Sequence, residues 1–234
     1  MKQHPLPFFD ERKFNIDLLV LHSYAGKNFF DSCERHKVSA HYLIDLKGEL
    51  IKIIDEEKRA WHAGAGSWRE FKSDINSRSI GIEVQNKTLG QTPFTAKQME
   101  TLINLSKKII KKYRIEPRNI VGHSDVAPTR KPDPGFKFPW KKLAQNNIGL
   151  WYDLRKKHPE TDIEKLLESI GYSTENLKAA AYAFCRRFLP EFVRPDLDIG
   201  HLINNVLPDN FDFMKEAKFL KTLQAVAYRY RSIK

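Results

Sequence analysis

Cysteine is scarce in this 234-residue chain, with only Cys33 and Cys185, far apart and set in helical-looking sequence. That excludes a disulfide framework and points to two reduced, packed thiols, as a reducing compartment allows. Long apolar runs are missing as well. No stretch approaches the roughly 18 residues that a membrane-spanning helix requires. The start, Met1 to Asp10, holds a lysine but no apolar segment before Glu11, Arg12 and Lys13, so no export signal is visible. The expectation is a cytoplasmic protein without a membrane span, with the periplasm or cell envelope as the alternative. No repeat and no low-complexity run appears. Acidic residues are in deficit, 29 Asp/Glu against 40 Lys/Arg, for a net charge of +11. Residues 1–153 carry 26 Lys/Arg against 18 Asp/Glu, and residues 154–234 carry 14 against 11, so the front part is the basic one. Such a field suits an acidic partner, either nucleic acid or a carboxylate-rich polymer, or it is a solvated surface with no partner.

The remaining composition, 41% hydrophobic and 29% charged, is that of a soluble globular protein long enough for a sizeable core in one or two domains. Asn15 to His22 is a continuous apolar run of strand length, the pattern of a strand buried on both faces, and it closes on a histidine. Phe29 to Val38 reads as a short helix. Ser39 to Asp45 and Glu49 to Ile54 flank Lys47-Gly48 as a hairpin. The stretch from Ala60 to Trp68 combines small residues with Trp61, His62 and Trp68, a composition suited to a loop lining a groove or to a buried tryptophan. Ser79 to Val84 is another strand, with Ile82 and Val84 on one face and Glu83 on the other. A carboxylate there is expensive unless it is paired or functional, or unless the strand lies at an edge. Thr95-Ala-Lys-Gln98 is a capping box, and Met99, Leu102, Ile103, Ile109, Ile110 and Tyr113 follow at helical spacing. Pro117 to His123 gives a short strand that again ends on a histidine.

Next comes Val121-Gly-His-Ser-Asp-Val-Ala-Pro-Thr-Arg-Lys-Pro-Asp-Pro-Gly135. Lys131 and Asp133 each precede a proline, which disfavours helical backbone and extends both. In extended backbone, positions i and i+2 point the same way. The pair is either an ion pair on a surface turn or a cation and a metal ligand aimed together. Two histidines closing strands and an aspartate on a loop, with a fourth position left for water, have the composition of a catalytic zinc site.

The ordered set Val20-Leu-His22, Ser39-Ala-His-Tyr42, Ala60-Trp-His-Ala-Gly64, Ile80-Gly-Ile-Glu83 and Gly122-His-Ser-Asp-Val-Ala-Pro128, leading to Arg130-Lys-Pro-Asp-Pro-Gly135, resembles the zinc-dependent N-acetylmuramoyl-L-alanine amidases of the AmpD/AmiD type over about residues 15–152. The resemblance implies an α/β fold with a mixed central sheet flanked by helices, like that of peptidoglycan-recognition proteins. It implies one zinc ion (Zn2+) per chain on His22, His123 and Asp133, with Glu83 and Lys131 as catalytic groups. His41, Trp61 and His62 match motif positions near the substrate groove. The implied reaction is hydrolysis of the amide between N-acetylmuramic (or anhydro-muramic) acid and L-alanine, in cell-wall recycling or remodelling. The expected partners are peptidoglycan fragments or muropeptides, not nucleic acid, and a monomer is expected.

From about Trp151 the pattern turns helical. Thr161-Asp-Ile-Glu164 is a capping box before Leu166, Leu167 and Ile170, with Gly171 as the stop. A helix capped by Ser173 or Thr174 runs to Phe188, a shorter one spans Ile199–Leu207, and a long one spans Phe213–Arg231. The boundary is therefore set at 152/153, with a catalytic domain over 1–152 and a small all-α region over 153–234. That region is similar, more weakly, to the helical peptidoglycan-binding module of AmiD-type enzymes, or consists of helices that pack on the catalytic domain. Two further readings are a non-catalytic peptidoglycan-recognition protein, disfavoured by the intact His22, Glu83, His123, Lys131 and Asp133, and a basic nucleic-acid binder, for which no motif is found.

Overall fold

The strands are Lys2–Gln3 (β1), Phe9–Glu11 (β2), Leu18–Tyr24 (β3), Tyr42–Ile44 (β4), Leu50–Lys52 (β5), Lys58–Ala60 (β6), Ser79–Gln85 (β7) and Ile120–Gly122 (β8). The helices are Phe29–His36 (α1), Ile75–Arg78 (α2), Ala96–Tyr113 (α3), His123–Val126 (α4), Trp140–Gln145 (α5), Ile163–Ile170 (α6), Leu177–Phe188 (α7) and Ala217–Arg231 (α8). This computed structural model describes residues 2–195 and 212–232, so the helix expected over Ile199–Leu207 lies outside the described residues.

Six strands form one mixed sheet in the order β1-β5-β4-β7-β3-β8. Strands β4, β7, β3 and β8 run parallel, and β4 pairs antiparallel with β5. The proline-containing start, read as irregular, instead supplies β1 at the sheet edge and β2, which pairs with β6 in a separate two-stranded ribbon. Residues on β3 and β7 are almost all fully buried, as continuous apolar runs in a parallel sheet predict. Strand β3 continues two residues past His22 to Tyr24, so the histidine sits inside the strand.

Alternation sorts the two faces. Leu19, Leu21, Ile80, Ile82, Val84, Tyr42 and Ile44 pack under α3, meeting Met99, Leu102, Leu105 and Ile109. Each such side chain contributes about 1.5–3 kcal/mol by leaving water. The capping box that starts α3 is formed as expected: Gln98 N–H donates to Thr95 Oγ1 (3.2 Å) and Thr95 N–H to Gln98 Oε1 (3.1 Å). The Gln98 amide also donates to Asp45 O and Gln85 O, so the cap ties the helix to the hairpin and to β7. Thr95→Ala is expected to lower stability by about 1 kcal/mol, measurable as a shifted urea midpoint with an unchanged slope. Arg114, in the left-handed region at φ 54°, ends the helix.

The other face of the sheet, with Leu18, Val20 and Val121, joins Trp68, Ile75 and the helices after residue 152 in one core that includes Leu166, Ile170, Phe184, Phe219, Leu223 and Tyr230. Trp68 is fully buried; its indole N–H donates to Arg118 O at 3.0 Å, and Tyr172 and Tyr230 meet it edge-on. The 152/153 boundary expected from composition lies within this chain of contacts, with core residues on both sides of it. Helix starts after 152 also differ by one to four residues from the sequence reading, α8 beginning at Ala217 where Phe213 was expected. Asp162 caps α6 and Asn176 caps α7, each accepting a backbone N–H three residues on. Both cysteines are buried free thiols, as expected. No helix among the described residues is long and apolar enough to cross a membrane.

Candidate metal centre

Register assembles the site. Strand β7 lies between β4 and β3, not at an edge, and Glu83 pairs with His22 on β3. Leu21 pairs with Gly122 on β8, so His123, the first residue of α4, emerges beside His22. Three side chains thus come together near the C-terminal ends of neighbouring parallel strands, close to the usual place for ligands in such sheets. The fourth comes from the proline-rich loop. Ser124 N–H donates to Asp133 O at 2.8 Å and folds that loop back over α4. Gly135 takes φ +89°, and a Cβ there would stand 2.2 Å from Leu89 O, so backbone contact with the loop after β7 fixes where Asp133 sits.

His22 Nδ1 lies 3.0 Å from His123 Nδ1, and each lies 3.1 Å from Asp133 Oδ2. All three residues are buried, and among the described residues they are the one group of three that could hold a metal ion. His123 Nε2 is 3.0 Å from Ala63 O, which can only accept, so Nε2 carries the proton and Nδ1 presents a bare lone pair. That lone pair points at two other electron-rich atoms, an arrangement a cation satisfies. Ligands bound tetrahedrally at about 2.0 Å would sit about 3.3 Å apart, close to the edges of this triangle. Burial pushes the His22 imidazole down to about 4, with His123 adding to the effect, which keeps it neutral and ligand-competent.

Glu83 is half-buried, and its Oε2, itself shielded from solvent, has no hydrogen-bond partner among the described residues. Burial, then the negative charge of Asp133, pushes its carboxyl up to about 8, opposed by Lys131. The group faces a cleft of about 370 Å³ lined by Tyr24, Phe29, Val38, Trp61, Arg130 and Lys131 among others. Trp61 is held by donation of its indole N–H to Asp10 Oδ2 at 2.7 Å.

Of the residues the sequence singled out, His22, His123, Asp133, Glu83, Lys131, Trp61 and His62 meet at this cleft. His41 does not. It is fully buried, its Nδ1 accepts from Gly81 N–H at 2.9 Å and its Nε2 lies 3.1 Å from Lys58 O. Burial and the neighbouring Arg12 guanidinium lower its pKa to about 3. Its ring ties β6 to β7. His62 lines the cleft but points both nitrogens inward, one 3.0 Å from His22 Nε2 and the other 3.2 Å from Ser79 Oγ. Sequence reading missed Asn76, whose Oδ1 accepts from His62 N–H and Ala63 N–H, and Arg12, whose guanidinium donates to the carbonyls of Glu56, Asn76, Ser77 and Ser79. Asn76 and Arg12 act through backbone groups and leave no mark in spacing or periodicity. Arg130 was missed as well, although it stands inside the motif; it donates to Ala63 O and Ala65 O across the cleft rim.

The family description N-acetylmuramoyl-L-alanine amidase matches residues 12–136. The chain is 37% identical over 182 residues to N-acetylmuramoyl-L-alanine amidase AmiD of Escherichia coli K12, covering 67% of this chain and 65% of that protein. It is 39% identical over 115 residues to 1,6-anhydro-N-acetylmuramyl-L-alanine amidase AmpD of Enterobacter cloacae, covering 49% and 60%. It therefore spans less than two thirds of the length of these relatives. Among solved structures it is similar to E. coli AmiD in complex with anhydro-N-acetylmuramic acid-L-Ala-D-gamma-Glu-L-Lys, with a TM-score of 0.70, 30% identity and coverage of 93% and 90%. It is also similar to AmpDh3 of Pseudomonas aeruginosa in complex with an anhydromuramic pentapeptide, with a TM-score of 0.71, 27% identity and coverage of 94% of each chain.

Proposed function

Because the chain belongs to the N-acetylmuramoyl-L-alanine amidase family, we propose that it hydrolyses the amide joining the lactyl group of N-acetylmuramic or anhydro-muramic acid to L-alanine of a peptidoglycan stem peptide. One zinc ion per chain serves the reaction. The observation that carries this reading is the convergence of three buried donors, on His22, His123 and Asp133, beside the unpartnered carboxyl of Glu83. Two neutral imidazoles and a carboxylate suit a catalytic zinc, which when bound would supply Lewis acidity toward the scissile carbonyl and toward water.

The chain's own groups do the rest. Ionised Glu83 takes a proton from the attacking water and delivers it to the departing alanine nitrogen. A carboxyl raised to about 8 suits both halves of that transfer near neutral pH. Lys131 presents an ammonium to the oxygen on which charge builds. The peptides held by the solved relatives favour soluble muropeptide fragments as substrate and recycling as the task, and a cytoplasmic site of action goes with soluble fragments. Residues 1–152 form the catalytic part, and the helices after them serve as its support, since one core runs through both.

The test is to incubate the zinc-loaded protein with anhydro-muropeptides and with intact sacculi and to identify the released peptide by mass. Release of a peptide with a free L-alanine amino group is expected; cleavage elsewhere, or none, overturns the reading. Asp133→Ala should lose both zinc and activity. Lys131→Ala should keep its zinc while turnover falls by about 10²–10³-fold, the loss typical of one oxyanion donor.

A further inference from the structure

His62 reaches the cleft, yet no polar atom of its ring is left for a substrate. Its Nδ1 is 3.0 Å from His22 Nε2, its Nε2 is 3.2 Å from Ser79 Oγ, and Ser79 Oγ is 2.6 Å from Ile75 O. The proton order along this chain follows from its far end. A backbone carbonyl only accepts, so the Ser79 hydroxyl proton is committed to Ile75 O. Ser79 Oγ must then accept, which puts a proton on His62 Nε2 and leaves His62 Nδ1 as a bare acceptor. The bare nitrogen draws the His22 proton to Nε2. What remains on His22 Nδ1 is a lone pair directed at His123 Nδ1 and Asp133 Oδ2.

The ring has a fitted seat. Gly81, on β7 between Ser79 and Glu83, lies under it, and a Cβ at that position would stand 2.5 Å from His62 Cγ. The edge-on contact of the His22 and His62 rings, with centroids 5.1 Å apart, fixes the orientation of the second ring by the first. Asn76 Oδ1 holds the backbone N–H groups of His62 and Ala63. Ala63 O in turn sets the tautomer of His123, so one short segment, His62-Ala63, addresses both histidines of the candidate centre.

We infer that His62 is a positioning residue: together with Ser79 and the Ile75 carbonyl it fixes the tautomer of His22, so that Nδ1 is free for a metal before any metal arrives. The inference rests on the zinc reading given above and goes beyond it by assigning Ser79-His62 as the outer partner of a ligand. Groups that hold the far nitrogen of a ligating histidine are typically worth 10–100-fold in metal affinity.

The experiment uses the full chain and two readouts. In the metal-free protein, ¹⁵N–¹H correlation of the imidazoles is expected to show His22 and His62 both protonated at Nε2. In Ser79→Ala, His62 should shift towards the Nδ1-protonated form and His22 should follow. Zinc affinity, read by competition with a chromophoric chelator, should fall 10–100-fold in His62→Phe, which keeps a ring over Gly81 but removes both nitrogens. His62→Gln, whose amide oxygen can still accept from His22, should recover most of it. A purely structural role for His62 would lower the melting temperature of the metal-free variants and leave the affinity of the folded fraction unchanged; that result, or an Nδ1-protonated His22 in the wild type, overturns the inference. If the wild type itself takes up no zinc, the zinc reading fails, and the tautomer measurement still decides the role of His62.

Discussion

Glu83→Gln is expected to cut amide turnover by about 10²–10⁴-fold, the contribution of a positioned acid–base group, with zinc content unchanged. Glutamine preserves the volume and one acceptor but can neither take nor return a proton. The same substitution carries a stability signature of its own, because the carboxyl sits on a central strand with Oε2 unpartnered. Burial, then Asp133, raises its pKa to about 8 from the ordinary 4.5. Below pH 4.5 the carboxyl is protonated in both folded and unfolded chains and costs nothing. Between 4.5 and 8 the unfolded chain releases the proton more readily, so stability drains away as pH rises, and above about 8 the full cost is present. Metal-free Glu83→Gln should therefore melt with the wild type near pH 4 and progressively above it towards pH 8. Thermal melts in chelator across that range check this. A gap of constant size at every pH would mean that Glu83 is not held protonated, and loss of zinc in the variant would make it a structural rather than a catalytic group.

The second large effect lies away from the cleft. Arg187→Ala is expected to destabilise the protein by about 3–5 kcal/mol, the cost of stranding one member of a buried ion pair. Arg187 Nη1 donates to Asp125 Oδ2 at 2.7 Å, and both side chains are only 1% exposed. Asp125 also accepts from Gly122 N–H and from the Tyr172 hydroxyl, and Arg187 Nη2 donates to Ile120 O on the outer strand β8. The guanidinium lies 4.1 Å over the Trp140 ring. A helix beyond residue 152 thus holds the strand end and the short helix that carry His123. The double change Asp125→Asn with Arg187→Met should recover part of the loss, since it removes both charges together. Urea unfolding of the single and double variants reads the difference. If Arg187→Ala fell within 1 kcal/mol of wild type, the pair would not be the brace it is described as.

Much of this was legible in the sequence because the physics was local. The apolar runs of β3 and β7 could only be buried strands, and Glu83 stood out as a charge inside one of them. Thr95 and Gln98 announced α3 through the two backbone N–H groups they satisfy. The prolines after Lys131 and Asp133 fixed their backbone, and both side chains line the one cleft. What failed to show was long-range. Nothing in Arg12 distinguishes it from a surface arginine until its guanidinium is seen spanning four carbonyls. His41 and His62 looked alike in their motifs, and only the third dimension separates the one that ties strands from the one that touches a candidate ligand. The contact between the two sides of residue 152 stayed out of sight for a similar reason. Composition changes at residue 152, but hydrophobic surface has no address in the sequence, and Leu18 and Val20 share one core with residues of α6, α7 and α8.

That shared core has a consequence for how the protein is made. Trp68 and Tyr230 close on one another across the sheet face that begins at Leu18. A ribosome adding about 5–20 residues per second needs about 4–16 s to travel from Tyr152 to Tyr230. During that interval the strands that carry His22 and Glu83, and strand β8 leading to His123, are already made while their inner face waits for its helices. The nascent chain holds that apolar face uncovered until α8 emerges, which leaves it prone to association with other chains in the meantime.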